Sequence, residues 1–156
     1  MQTSVAIHLQ GWFTSQTRAW LSPETDRTGL GAEGPSVLVV DDDRGVRRLT
    51  ARMLRLAGYK VLEAESGAEA MQVLESNPEI SLLVTDIVMP EMHGLDLADR
   101  VRARLPNLRV VLMTGHALEL TVELELRDSR LPVLLKPFTA QQLLTKVREE
   151  LSGGQH

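Results

Sequence analysis

Three aspartates follow one another at the end of a short apolar run, in the stretch VLVVDDDRG. They are Asp41, Asp42 and Asp43. Two neighbouring carboxylates repel each other by about 1 kcal/mol at 4 Å in water, and by about 4 kcal/mol at an effective dielectric constant of 20. Mg²⁺ would relieve this repulsion, because the ion prefers oxygen ligands and takes one or two carboxylates together with a phosphate. The cluster is therefore a candidate metal site, while Asp43 also suits the cap of a helix that begins near Arg44.

Three further polar residues stand at the ends of other apolar runs, namely Asp86, Thr114 and Lys136. An aspartate beside a bound cation can attack phosphorus as a nucleophile and form an aspartyl phosphate. Lys136 can supply a point charge to one phosphoryl oxygen, and Thr114 can donate a hydroxyl hydrogen bond to another. Phosphoryl transfer depends mainly on positioning and charge neutralisation. These residues predict phosphoryl chemistry if the fold brings them to one place.

Five short apolar runs alternate with amphipathic segments from residue 37 onward. Continuous apolarity is typical of strands that are covered on both faces, as in a parallel sheet. The segments between the runs carry helix signals, including the capping boxes Ser66–Glu69 and Thr139–Gln142. The runs are Val37–Val40, Tyr59–Leu62, Leu82–Thr85, Val110–Met113 and Val133–Leu135.

Two of the predicted helices differ in how clearly the sequence indicates them. In the first, the residues at helical spacing are Val46, Leu49, Met53 and Ala57, and Gly58 follows as a stop. The segment LELTVELEL, residues 118–126, alternates apolar and polar residues with the period of a strand. It lies between the fourth and fifth apolar runs, where parallel strands need a crossover, and this position predicts a helix.

The alternation predicts an α/β fold, a doubly wound (βα)₅ parallel sheet. The ligand site of such a sheet lies beyond the carboxyl ends of its strands. All the candidate residues stand at such ends, so we expect them to meet at one rim. The domain is predicted over residues 36–152, with an N-terminal extension or linker at 1–35 and a short tail at 153–156.

Composition excludes several classes of function. The 156-residue chain has a net charge of −4 and no cysteine, so we expect no direct binding of nucleic acid, no disulfide and no thiolate metal site. No apolar stretch approaches the ~20 residues that a membrane helix needs. The expectation is a soluble cytoplasmic protein without membrane insertion.

The sequence resembles a response-regulator receiver domain of two-component signalling over residues 36–152. Five stretches in order carry this resemblance, and together they are far more specific than any one alone. They are VLVVDDD, GYKVLEAESGAEAMQVL, LLVTDIVMPEMHGLDL, VVLMTGHA and LLKPF. The resemblance implies a flavodoxin-like sheet with strand order 2-1-3-4-5.

The resemblance also implies a role for each candidate residue. Asp86 is similar to the aspartate that becomes the 4-aspartylphosphate. The Mg²⁺ ligands would be Asp42 directly, Asp41 through water, Asp86, and the backbone carbonyl of Val88. Thr114 is similar to the switch hydroxyl. Lys136 is similar to the lysine that precedes a cis-proline peptide bond.

Further implications concern partners and output. The phosphoryl donor would be the phosphohistidine of a histidine kinase or a histidine phosphotransfer domain. The partner would contact the first helix, which carries Arg44, Arg47, Arg48 and Arg55. Output would be a changed surface at the fourth helix, fifth strand and fifth helix, and this face is also predicted as the interface of a homodimer. The domain would be a signalling module that catalyses only its own phosphorylation and dephosphorylation.

The chain departs from the family pattern at some positions. Val133 occupies the place of an aromatic residue whose ring rotates on activation, so that rotamer switch is unavailable. Val88 and His116 occupy the positions that tune phosphoryl lifetime in the family. An apolar Val88 hinders an attacking water, which predicts a long-lived phosphoryl group.

Two alternatives stay open at this point. A Mg²⁺-dependent phosphatase resembling the haloacid-dehalogenase-like group would use Asp41 as its nucleophile, although Gly45 stands where that motif wants Thr or Val. A receiver fold kept only for binding is disfavoured by the complete set of candidate residues.

The domain is either a stand-alone receiver or the C-terminal receiver of a hybrid sensor histidine kinase, since residues 3–9 weakly resemble a strand of a kinase ATPase domain.

Overall fold

The computed structural model describes residues 34–115 and 120–153. These residues lie within the compact unit Glu33–His156. The predictions for the N-terminal extension and for His116 fall outside the described residues. None of the described helices is long and apolar enough to cross a bilayer.

Five parallel strands and five helices alternate along the described part of the chain. The sheet order is β2-β1-β3-β4-β5, so the predicted (βα)₅ architecture is confirmed. The strands are β1 Ser36–Val40, β2 Lys60–Ala64, β3 Ile80–Asp86, β4 Arg109–Thr114 and β5 Val133–Leu135. The helices are α1 Arg44–Leu56, α2 Gly67–Ser76, α3 Gly94–Arg104, α4 Leu120–Ser129 and α5 Ala140–Ser152.

Two apolar clusters cover the two faces of the sheet. Side chains alternate between the faces of a strand, so Leu38 and Val40 join the cluster that includes residues of α2 and α3. Val37 and Val39 join the other cluster, to which α1 and α5 contribute. Burial on both faces explains why the strand sequences are continuously apolar.

Helix α1 lies where the sequence places it, but it turns a different face to the core. Its buried residues are Thr50, Ala51 and Leu54, whereas Leu49 of the predicted stripe is 56 % exposed. The Thr50 hydroxyl donates to the Val46 carbonyl at 2.8 Å, so a polar side chain can be buried there. Thr50 and Ala51 are small side chains on the face of α1 that packs against the sheet.

The helix signals in the sequence correspond to real helix ends. The Thr139 side chain accepts from the Gln142 backbone N–H while the Gln142 side chain accepts from Thr139, which completes the capping box of α5. At α2, Ser66 accepts from the Glu69 N–H, but the Glu69 carboxylate reaches the backbone N–H of Glu65 instead. The described part of the segment with strand-like alternation, residues 120–126, is helical in α4, as the need for a crossover predicts.

Candidate functional site

The carboxyl ends of β1 and β3 bring two aspartates side by side. Val40 pairs with Thr85 in the parallel register, so the residues that follow, Asp41 and Asp86, stand at the same edge of the sheet. The backbone N–H of Asp41 donates to the carbonyl of Ala64 at 3.3 Å, which keeps this end of β1 in contact with β2. The strand pairing therefore fixes the spacing of the two carboxylates.

Asp41 is held by hydrogen bonds on both carboxylate oxygens. Its side chain is only 1 % exposed. Oδ1 accepts from the backbone N–H of Asp43 at 2.9 Å, and Oδ2 accepts from Lys136 Nζ at 2.7 Å. A buried carboxylate without such partners would be costly, so Asp41 depends on Lys136.

Lys136 follows β5 and contacts the aspartates at the ends of β1 and β3. Its Nζ lies 3.4 Å from Asp86 Oδ1 in addition to its contact with Asp41. The backbone N–H of Lys136 donates to the Thr114 carbonyl at 2.7 Å, and the Lys136–Pro137 peptide bond is cis, as the resemblance implies. Although burial alone lowers the pKa of Lys136, its contacts with Asp41 and Asp86 outweigh this and raise it.

Asp86 is the nearly buried carboxylate at the end of β3. Its Oδ1 accepts from the backbone N–H of Ile87 at 2.9 Å. Burial raises the pKa of Asp86, Lys136 opposes that rise, and the charge of Asp41 adds to it, with a net pKa above the ordinary 3.8. The charged form is thus destabilised at the point where positive charge from a cation would be most effective.

Asp42 completes a group of three carboxylates. One oxygen from each of Asp41, Asp42 and Asp86 lies within 4.8 Å of the other two. Two oxygens on opposite sides of a Mg²⁺ ion are about 4.2 Å apart, since each lies about 2.1 Å from the metal. The limit of 4.8 Å is only slightly larger than this separation, so small side-chain movements would let these hard oxygen donors hold Mg²⁺. Asp42 is exposed, so the group is open to solvent on its side.

Two further predicted site residues, Thr114 and Val88, lie at or near the same ends of the strands. Thr114 is buried at the end of β4, where its hydroxyl donates to the Gly115 carbonyl at 3.2 Å. Val88 follows Asp86 by two residues and is exposed. The structure thus joins Asp41, Asp42, Asp86 and Lys136, and the roles of Thr114 and Val88 stay predictions.

Sequence reasoning missed two residues that shape this rim. Gly94 donates its backbone N–H to the Ile87 carbonyl at 2.8 Å, and a Cβ at this position would overlap the Asp86 carbonyl oxygen. Arg47 donates from Nη1 to the Asp41 carbonyl at 2.7 Å. The sequence groups Arg47 with the exposed basic residues of α1, and only the fold shows that it turns inward.

Comparisons with known proteins agree with this geometry. The response regulator receiver domain family matches residues 37–148. The chain is 38 % identical to the response regulator receiver protein CpdR of Brucella abortus strain 2308, covering 74 % of this chain and 95 % of CpdR. It is 37 % identical to the sensor kinase CckA of the same strain, covering 74 % of this chain but 12 % of CckA.

A solved structure gives the same result for the fold. The crystal structure of a response regulator receiver domain protein from Clostridium thermocellum matches with a TM-score of 0.71 and 26 % identity, covering 77 % of this chain and 96 % of that protein. These matches do not support the phosphatase alternative. The chain belongs to the response regulator receiver domain family and is a receiver domain of two-component signalling.

Proposed function

We propose that Asp86 accepts a phosphoryl group from a phosphohistidine, and that Mg²⁺ is bound by Asp41 through water, by Asp42, by Asp86 and by the Val88 carbonyl. The main support is the close group of carboxylates at Asp41, Asp42 and Asp86, with Lys136 bridging two of them. The donor is a histidine kinase or a histidine phosphotransfer domain, the classes of protein with which receiver domains interact.

The transfer forms one bond and breaks one. A carboxylate oxygen of Asp86 bonds to phosphorus as the P–N bond to the donor imidazole breaks, and the imidazole nitrogen leaves with the electron pair. Lys136 Nζ lies 3.4 Å from Asp86 Oδ1 before the transfer, and after it Nζ would pair with a phosphoryl oxygen. Bound Mg²⁺ would supply positive charge to the phosphoryl oxygens and to the acidic cluster.

The switch would operate at the surface of α4, β5 and α5. Among the residues that the structure describes, the Thr114 hydroxyl donates to the neighbouring Gly115 carbonyl, and we propose that it turns toward a phosphoryl oxygen. Val133 is half-buried at the start of β5, next to the apolar cluster that includes Leu126 and Leu131. We propose that aliphatic repacking at Val133 replaces the rotation of an aromatic ring, and that the same face forms the homodimer.

The exposed face of α1 is the proposed contact for the phosphoryl donor. Arg44, Arg48, Leu49 and Leu56 are exposed there, which combines positive charge with apolar area at the helix beside the acidic cluster. Arg47 does not belong to this face, because its guanidinium is bonded inward. A mixed surface of this kind suits a protein partner.

The test is labelling of the 156-residue chain with radioactive acetyl phosphate or with a phosphorylated kinase, in the presence of Mg²⁺. Wild type should be labelled, Asp86→Asn should not, and removal of Mg²⁺ with a chelator should abolish labelling. The matched control is Asp99→Asn, which changes an exposed aspartate of α3. Label retained in Asp86→Asn would show a different acceptor and contradict the proposal.

The remaining expectations stay predictions. They are the domain boundaries at 36 and 152, the absence of enzymatic activity beyond self-phosphorylation and dephosphorylation, the cytoplasmic location and the absence of nucleic-acid binding. The long phosphoryl lifetime expected from Val88 is tested by the same label: loss within seconds after donor removal would contradict it. Whether the receiver stands alone or ends a hybrid kinase is decided by the sequence encoded immediately upstream of Met1.

A further inference from the structure

Arg47 is an inward-facing arginine behind the acidic cluster. Its side chain is only 13 % exposed, and its Nε lies 3.6 Å from Glu63 Oε2 at the edge strand β2. Arg55 holds the other oxygen of Glu63 at 3.0 Å and also donates to the Val61 carbonyl. Glu63 is thus fixed between two arginines, and this fixes the position of the Arg47 guanidinium.

The other side of the same guanidinium contacts the loop that carries the acidic pair. Arg47 Nη1 donates to the Asp41 backbone carbonyl at 2.7 Å. The Asp41 N–H donates to Ala64, next to Glu63 in β2, so both backbone groups of Asp41 are tied to this edge of the sheet. The hydrogen bond forms at the turn between β1 and α1. The backbone conformation of this turn determines the orientation of the Asp41 and Asp42 side chains.

Two effects of Arg47 on a cation at this site have opposite signs. As a positive charge close to the cluster, Arg47 repels a cation, so its removal should tighten Mg²⁺ binding. As a hydrogen-bond donor to the Asp41 backbone carbonyl, Arg47 fixes the backbone that carries the mutually repelling carboxylates before the ion arrives. Its removal should therefore weaken Mg²⁺ binding. The direction of the change therefore separates positioning from charge.

We infer that Arg47, fixed by Glu63, is a positioning residue that preorganises Asp41 and Asp42 for Mg²⁺. This inference rests on the proposed function, because it assigns the pair to metal binding. The contact is short, charge-assisted and partly buried, and these conditions strengthen a hydrogen bond. Positioning therefore outweighs the repulsion between the guanidinium and the ion.

The test is calorimetric titration of the full chain with MgCl₂. Arg47→Met should weaken Mg²⁺ binding about three- to tenfold, as expected when part of one hydrogen bond to a charged group is lost. The matched control is Arg52→Met, which removes an exposed charge from the same helix. The control should bind Mg²⁺ as wild type does, or up to about twofold more tightly.

Arg47→Lys keeps the charge and most of the side-chain length, so it is a second variant less prone to unfolding. It cannot contact Asp41 and Glu63 with a planar fork, so it should bind Mg²⁺ about two- to fivefold more weakly than wild type. Binding as tight as wild type in Arg47→Lys, or unchanged or tighter binding in Arg47→Met, would overturn the inference.

A kinetic readout separates the inference from the proposed function. The initial rate of acetyl phosphate labelling in Arg47→Met should fall at low Mg²⁺ and return to within about twofold of wild type at saturating Mg²⁺. A rate that saturating Mg²⁺ does not restore contradicts the inference alone. Failure of wild type to be labelled at all would instead refute the proposed function.

Discussion

Removal of the Asp86 charge should stabilise the protein when no cation is bound. At an effective dielectric constant of 20, Lys136 at 3.4 Å attracts Asp86 by about 5 kcal/mol. Asp41, with an oxygen within 4.8 Å, repels Asp86 by about 3 kcal/mol or more, and the exposed Asp42 adds about 1 kcal/mol because water screens its charge. The attraction and the repulsion therefore nearly cancel, and burial of Asp86, the largest cause of its raised pKa, decides against the charged form.

The variant for this prediction is Asp86→Asn, measured by thermal unfolding in buffer with a chelator. We expect relief of that burial cost to give a gain of about 1 to 2 kcal/mol, which raises Tm by about 3 to 8 °C for a domain of this size. Asparagine retains an oxygen that can accept from Ile87 and Lys136, so the hydrogen bonds are kept. Saturating Mg²⁺ should reverse the order, because the ion stabilises wild type more than the variant.

The pH dependence follows from the raised pKa of Asp86. A carboxyl whose folded pKa lies above its unfolded value of 3.8 destabilises the folded state at high pH. Wild type should therefore approach Asp86→Asn in stability as the pH falls through the folded pKa. The control Asp99→Asn changes an exposed charge and should leave Tm nearly unchanged. An equal or lower Tm for Asp86→Asn at neutral pH without cation would refute the reasoning.

Two further predictions concern groups around Asp86. Lys136→Met should lower the free energy of unfolding by about 2 kcal/mol, because it leaves Asp41 buried without its partner. The folded pKa of Lys136 exceeds 10.5, so the stability difference between wild type and Lys136→Met should persist at lower pH and disappear as the pH rises through the folded pKa. Urea titrations at several pH values can measure this difference. Gly94→Ala should lower the free energy of unfolding by about 2 to 3 kcal/mol, because its Cβ overlaps the Asp86 carbonyl. Gly153→Ala, whose Cβ meets nothing within 4 Å, is the control for chemical denaturation and should differ by under about 0.5 kcal/mol; a neutral Gly94→Ala would contradict the close approach.

Local signals in the sequence predicted the elements well because those signals act over a few residues. Continuous apolar runs gave the strands, and capping residues gave the starts of α2 and α5. The helix at Leu120–Ser129 was predicted against its local alternation, since the topology of parallel strands requires a crossover. The buried face of α1 was not predicted, because apolar spacing favours Leu49 while the close contact with the sheet selects Thr50 and Ala51.

The sequence by itself determined which residues are candidates for the chemistry of this protein, because side-chain type and position at strand ends can be read from it. Asp41, Asp42, Asp86 and Lys136 could be chosen on that basis before any distance was known. Only the tertiary structure decided that Lys136 bridges Asp41 and Asp86. It also decided that Arg47 faces the cluster rather than a partner. These contacts depend on which strands are neighbours and how α1 is rotated, and both result from packing between residues far apart in the chain.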